Sequence, residues 1–508
     1  MRRSPSARGW TIVAGLAVAL IGAVGYLLVP GPTTAADGAA KVWAMFGGTV
    51  SRNMINLNEK GITDEFEVKQ KKGVKWQADL GSRAYGGPTI ANGVILVGTN
   101  NERPRDPKVK GDKGIVMAFD QETGKYLYQI VHNKLSSGQV NDWPREGVCS
   151  SPTIIDGQGF YTSNRCETVC IDTKTGKVVW SYDMMKELNV FPHNMTCCSP
   201  LVVNDLVFIV TANGVDEGHI NIPSPEAPSF VALERKTGKL VWKDASPGKN
   251  IMHGQWANPT YGEIGGVPQV IFPGGDGWLY AFEPKTGKPL WKFDCNPKTA
   301  PKYELGGKGI RSDFIATAVV YEGKIYIGIG QDPEHYEGVG YFWCIDPAGK
   351  SGDLSRELVD MDNPDLTKRT TKPNPNTGLV WVYGGPNKEP DAKRDYIFGR
   401  TMSTASIHDG IIYIAELAGY LHCLDLKTGK PFWVHDLKSA VWGSTYWVDG
   451  KIYIGTEDGD VWVFKHGKEK PDPKQIAIDQ PIRSTPVVAN GVLYVMTEST
   501  LFALTAPK

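Results

Sequence analysis

Ala118–Lys125 reads AFDQETGK, and the phrase returns as CIDTKTGK from Cys170, ALERKTGK from Ala232, AFEPKTGK from Ala281 and CLDLKTGK from Cys423. Degenerate copies begin at Cys344, Val463 and Ala503, making eight. An apolar pair, an acidic residue and a Thr-Gly turn describe a strand running into a tight reversal. A second phrase keeps step with the first: a small or hydroxyl residue, often with Pro, then an alternating apolar run broken by Gly, Asn or Asp. It reads GPTIANGVILVG from Gly87, SPTIIDGQGFYT from Ser151, SPLVVNDLVFIV from Ser199 and NPTYGEIGGVPQVIF from Asn258, with four more from Thr317, Thr404, Ser444 and Thr485. Alternation broken by such a turn is a hairpin signal, because positive φ is cheap there for Gly, Asn and Asp.

Each unit therefore reads as four antiparallel strands, the last usually carrying Trp: Trp180, Trp242, Trp291, Trp381 and Trp433, with Tyr128 in that place once. Radial repetition of such sheets predicts an all-β, eight-bladed β-propeller, whose architecture protects sheet edges. The eighth unit stops after its third strand at the C-terminus, while an orphan VKWQADLG stands at Val74. The N-terminal strand is thus expected to complete the last blade and close the ring.

The propeller is assigned to residues 42–508. Residues 1–29 carry Arg2, Arg3 and Arg8 before an uncharged apolar run from Trp10 to Val29, and 30–41 form a linker with small residues suited to cleavage. This predicts export to the periplasm or cell surface, through either a cleaved signal peptide or an uncleaved anchor over residues 10–29. The 55 basic and 55 acidic residues balance to a formal charge of +0, which argues against a nucleic-acid partner and against membrane contact outside the N-terminus. A monomer is expected.

Of eight cysteines, Cys170, Cys344 and Cys423 replace the Ala of the first phrase and read as small core residues, and Cys295 as similarly inert. Cys197 and Cys198 are adjacent where a blade begins. Aligning Ser199-Pro200 with Ser151-Pro152 sets Cys149 opposite Cys197. Pairing of Cys149, Cys166, Cys197 and Cys198 stays open, a ring disulfide between neighbours being one solution and separate thiols another. Zinc spacing and a covalent haem motif are absent, and no metal ligands are assigned.

Residues before the inner strands should share one face of the ring: Tyr85, Arg145, His193, His253, Gln255, Trp256, Arg311, Arg400, Trp442 and Arg483. Four Arg about one opening would favour a small anionic ligand, and Trp or Tyr would accept a flat ring. Long loops from Asn100, Ala212 and Gly330 thicken this face, while the insertion from Ala348 to Asn376 should hang from the other.

The repeat, the count of eight and the export signal resemble the pyrroloquinoline-quinone (PQQ) repeat superfamily over roughly residues 42 to 508. That group holds quinoprotein alcohol dehydrogenases and non-catalytic outer-membrane assembly scaffolds. The resemblance to the enzymes implies PQQ and calcium, a disulfide between Cys197 and Cys198 over the quinone, and Trp256 or Trp442 on its other face. Cys197, Cys198, Trp256, Arg311, Arg400, Trp442 and Arg483 are the cofactor-binding candidates. The enzymes also carry an acidic residue just after a Trp, where this chain has Ala257 and Asn258. Asp142 and Asp313 are the substitute bases. The missing acid favours a non-catalytic module at the cell envelope, binding a small ligand or an envelope protein, over a PQQ- and calcium-dependent oxidoreductase.

Overall fold

The computed structural model describes residues 42–507, apart from 299, 301, 332, 336, 360–362, 364, 366 and 367. The signal or anchor over 1–29 and the linker over 30–41 lie outside the described residues. Among the described residues no helix is long and apolar enough to cross a membrane.

Eight sheets form the eight blades of a β-propeller. Blade 1 runs Thr89–Ala91, Val94–Asn100, Lys113–Asp120, Tyr126–Asn133, each strand antiparallel to the last. Blades 2 to 8 begin with inner strands Thr153–Ile155, Leu201–Val203, Thr260–Ile264, Val319–Tyr321, Ser406–His408, Tyr446–Val448 and Val487–Ala489. In blade 8 the fourth strand is Val74–Asp79, with Trp76 opposite Ala503 and Gln77 opposite Phe502. The ring is closed as the orphan strand predicts. The insertion after Ala348 partly joins the ring: Gly352–Asp353 pairs in parallel with Trp291 and Lys292 on the outer edge of blade 4.

The first phrase is explained residue by residue. Its acid accepts from the turn: Asp120 Oδ1 takes the Thr123 amide at 2.9 Å and hydroxyl at 2.6 Å, and Asp172 and Asp425 repeat this with Thr175 and Thr428. The turn Gly lies at positive φ and receives the outer Trp of the preceding blade. A Cβ on Gly238 would fall 2.5 Å from Trp180, on Gly287 2.6 Å from Trp242, and on Gly429 2.4 Å from Trp381. Each indole N–H donates to a carbonyl of the same turn, as Trp180 does to Arg235 at 2.9 Å and Trp242 to Pro284 at 2.8 Å. Trp and Gly are two halves of one contact between blades. Trp76 makes it across the closure, on Gly124 and the Gln121 carbonyl.

The centre of the ring holds a feature without a sequence signal. Inner strands expose one unpaired edge each, and residues 43–59 satisfy those edges in turn. Trp43 exchanges backbone bonds with Ile90, and Ala44 accepts from Ile154. Val50 accepts from Tyr261, Ser51 from Val320, and Met54 from Trp447. The Asn53 side chain bonds both backbone groups of Ile407, Asn56 donates to the Val488 carbonyl, and Glu59 accepts from Gly491. Arg52, fully buried, completes the set at blades 3 and 4. Its guanidinium donates to the carbonyls of Pro259 at 3.0 Å, Ser199 at 3.1 Å, Pro200 at 3.2 Å and Phe46 at 2.5 Å.

Candidate functional site

The second phrase builds two stacked rings around the axis. Its small or hydroxyl residue forms a belt from blade to blade. Ser151 N donates to Ser199 Oγ at 3.0 Å, Ser199 N to Asn258 Oδ1 at 2.6 Å, and Asn258 Nδ2 to Thr317 Oγ1 at 2.9 Å. Thr404 N donates to Ser444 Oγ at 2.9 Å and Ser444 N to Thr485 Oγ1 at 2.8 Å. Two residues earlier, on the same face of the extended chain, stand Tyr85, Cys149, Cys197, Trp256, Ile315, Met402, Trp442 and Arg483, one from each blade. All eight line an axial cavity of about 400 Å³ whose floor is Trp43, Phe46 and Met54 of the N-terminal segment. Trp143, Glu146, Asn194, Met195, Pro333 and Glu334 add to its walls.

Of the candidate cofactor residues, Cys197, Trp256, Trp442 and Arg483 line this cavity; Cys198, Arg311 and Arg400 do not. Cys198 is one residue out of register, so alternation turns its side chain away from the axis into the apolar core, where Sγ accepts from Val210 N at 3.3 Å. All eight cysteines are free thiols, and the Cys197 thiol acts on that of Cys149 from the neighbouring blade. That contact, with burial, pushes the Cys149 thiol well above the usual range. The structure therefore sets Cys197 beside Cys149 of the neighbouring blade and holds no ring disulfide with Cys198.

The expected ring of four Arg does not form. Arg145 is exposed and pairs with Glu102 at 3.0 Å. Arg400 donates to the His335 carbonyl. Arg311 is held off the axis by Asp294, with Nη2 to Oδ1 at 2.6 Å, in a buried network with Asp276 and Lys298. Burial pushes the Asp276 carboxyl up to about 6, against the opposing pull of the Tyr280 hydroxyl and Arg311. A carboxyl raised from 3.8 holds its proton more tightly folded than unfolded, so stability declines as pH rises from 3.8 to about 6. Asp276→Asn should remove this decline, about 3 kcal/mol, read as flatter denaturant midpoints between pH 4 and pH 6 than in the parent.

Arg483 alone of the four reaches the cavity. It pairs with Glu457 at 2.8 Å and with Glu498, and lies 4.8 Å from the Trp442 ring and 5.5 Å from Tyr85. Its charge is thus already balanced. Asp142 is a buried structural acceptor, bonded to Leu135 N at 2.9 Å, Asn164 at 2.8 Å and Lys134. Neither it nor buried Asp313 lines the cavity. Gln255 is likewise spent on Asn213, Ser229 and Gly275.

Ile315 and Met402 share the register of Trp256 and were legible by that alignment, but the sequence reading passed over them. Glu146 and Glu334, the described carboxylates that line the cavity, have no repeat signal. His193 and His253 do not face the ligand space either. They meet His219, in a cluster where the sequence reading assigned no metal ligand.

The family model described as outer membrane protein assembly factor BamB, a PQQ-repeat model, matches residues 112–332 and 374–504. The chain belongs to the PQQ-repeat β-propeller family. This PQQ-repeat propeller is 24% identical over 348 residues to tetrathionate hydrolase of Acidithiobacillus ferrooxidans, covering 61% of this chain and 63% of that protein. It is 24% identical over 402 residues to the dehydrogenase subunit of the quinone alcohol dehydrogenase of Gluconobacter oxydans, covering 68% and 48%. The chain thus spans about half to two thirds of the length of these relatives. Among solved structures, BamB from Moraxella catarrhalis superposes with a TM-score of 0.55 at 14% identity, covering 85% of this chain and 99% of that one. Quinohemoprotein alcohol dehydrogenase from Comamonas testosteroni gives 0.59 at 14%, covering 92% and 81%. At such identities these structures establish a shared fold.

Proposed function

We propose that this propeller is a non-catalytic binding module, exported to the cell envelope, whose axial cavity takes the flat apolar face of a small ligand. The observation that carries this reading is the ring of eight equivalent positions over an apolar floor, filled mostly by Trp, Tyr, Ile, Met and Cys. Such a concave, largely apolar site with a few polar groups around it suits an aromatic ligand. The apolar run behind Arg2 and Arg3 supports export.

The oxidoreductase reading implies PQQ with calcium, and the residues present do not fit that pair. PQQ brings carboxylates into a cavity whose lining cation among the described residues, Arg483, is already neutralised by Glu457 and Glu498. Asn258, just beyond Trp256, is consumed in the belt. The anionic ligand expected from four Arg loses its basis in the same way.

Two titrations test the proposal. The neutral fluorophore N-phenyl-1-naphthylamine should bind the purified chain with enhanced emission, and Trp256→Ala should weaken that binding at least about tenfold. PQQ with calcium should produce no dye reduction with alcohols. Turnover that disappears in Cys197→Ser would replace this proposal with the oxidoreductase.

A further inference from the structure

Three imidazoles from three loops converge beside the cavity wall. His193 lies in the loop leading into blade 3, His219 in the long loop between its middle strands, and His253 in the loop leading into blade 4. One ring nitrogen of each lies within 4.8 Å of the others, and the ring centroids are 4.5, 4.7 and 5.1 Å apart. His193 and His253 are each 1% exposed and His219 is half-buried.

The surroundings orient these rings. His193 Nδ1 lies 2.9 Å from the Val215 carbonyl, which can only accept. Nδ1 is therefore the donor there, and Nε2 is the nitrogen that would be offered to a metal. His219 takes a left-handed backbone at φ +54, fastened by Asp216. The Asp216 carbonyl accepts from His219 N at 3.1 Å, and its carboxylate from Ile220 N at 2.8 Å and Asn221 Nδ2 at 3.0 Å. Two glycines keep room for the rings. A Cβ on Gly214 would lie 2.6 Å from His193 Cβ, and one on Gly306, at φ +72, 2.5 Å from His219 Nδ1.

We propose that His193, His219 and His253 bind one divalent cation of the zinc class, with a fourth position left for water or a ligand group. Metal–imidazole bonds of about 2.0–2.1 Å in tetrahedral geometry bring the three nitrogens to roughly 3.4 Å of one another, so small ring rotations close the site. An all-imidazole donor set selects zinc, copper or nickel over calcium and magnesium, which require oxygen. The cation ties three loops of two blades together. It also stands next to the ligand cavity, because the Trp256 ring that lines it lies 5.2 Å from His253 and 6.2 Å from His193.

The test uses the full chain without a histidine tag. After equilibrium dialysis against zinc chloride, elemental analysis should return one zinc per chain, and zinc should raise the melting temperature where calcium and magnesium do not. Cobalt(II) should give the visible absorption of a low-coordinate nitrogen site. His219→Gln, in the half-buried loop, should lower zinc affinity at least about tenfold while leaving the metal-free melting temperature unchanged. His466→Gln, in the blade 7 turn that packs against Tyr413 of blade 6, should bind zinc as the parent does. Less than half an equivalent of zinc, or a His219→Gln protein that binds as tightly as the parent, overturns the assignment.

Discussion

A protein that lacks residues 1–81 should fail to form a stable monomer. The deletion removes Val74–Asp79 from blade 8, so Thr500–Leu504 becomes an open edge with its amides and carbonyls unpaired. It removes the Trp76 indole from the blade 1 turn, where it covers Gly124 and donates to the Gln121 carbonyl. It also withdraws the segment that pairs with the inner edges around the ring. An exposed edge of that length is a template for pairing with other chains. Size-exclusion chromatography should show aggregate, and the cooperative melt should be lost or lowered by well over 10 °C. A monomer with the parent melting temperature would refute ring closure.

Arg52→Met should cost about 4 kcal/mol or more. Met replaces much of the volume but none of the donors, and the Ser199, Pro200, Pro259 and Phe46 carbonyls lose their partner. Each buried group left unsatisfied costs roughly 1–3 kcal/mol. Arg52 also approaches Pro259 and Ser199 at the belt beneath the cavity, so the variant should lose cavity binding as well as stability. Denaturant melts and naphthylamine titration read the two effects separately. Arg52→Lys should be intermediate in stability, because one ammonium with three donors cannot reach the acceptors that the planar guanidinium spans.

Much of the site lay in the same repeat as the fold, and register shows why part of it was missed. Trp256, Trp442, Arg483 and Cys197 stand two residues before the belt residue, and period-two alternation aims them at the axis. Cys198 fails that parity. Arg311 and Arg400 lie further from the belt, outside the named strands, and local partners decide their direction. Asp294 captures Arg311, a choice that no repeat position announces. The free thiol of Cys197 next to Cys149 follows from the packing of blade 2 against blade 3, whereas adjacency in sequence suggested Cys198.

The sequence by itself determined the blade count, the strand order and the closure by Val74–Asp79, because those rest on local patterns: alternation, an acid-capped Thr-Gly turn and a Trp placed to meet the next Gly. Tertiary structure alone decided what fills the axis and what meets beside it. Residues 43–59 carry no repeat, and their place is set by unpaired edges that exist only once the ring has formed. His193, His219 and His253 are separated by 26 and 34 positions in the chain. They become neighbours because radial packing brings the loops of blades 3 and 4 to one face, a proximity that the linear order of residues does not encode.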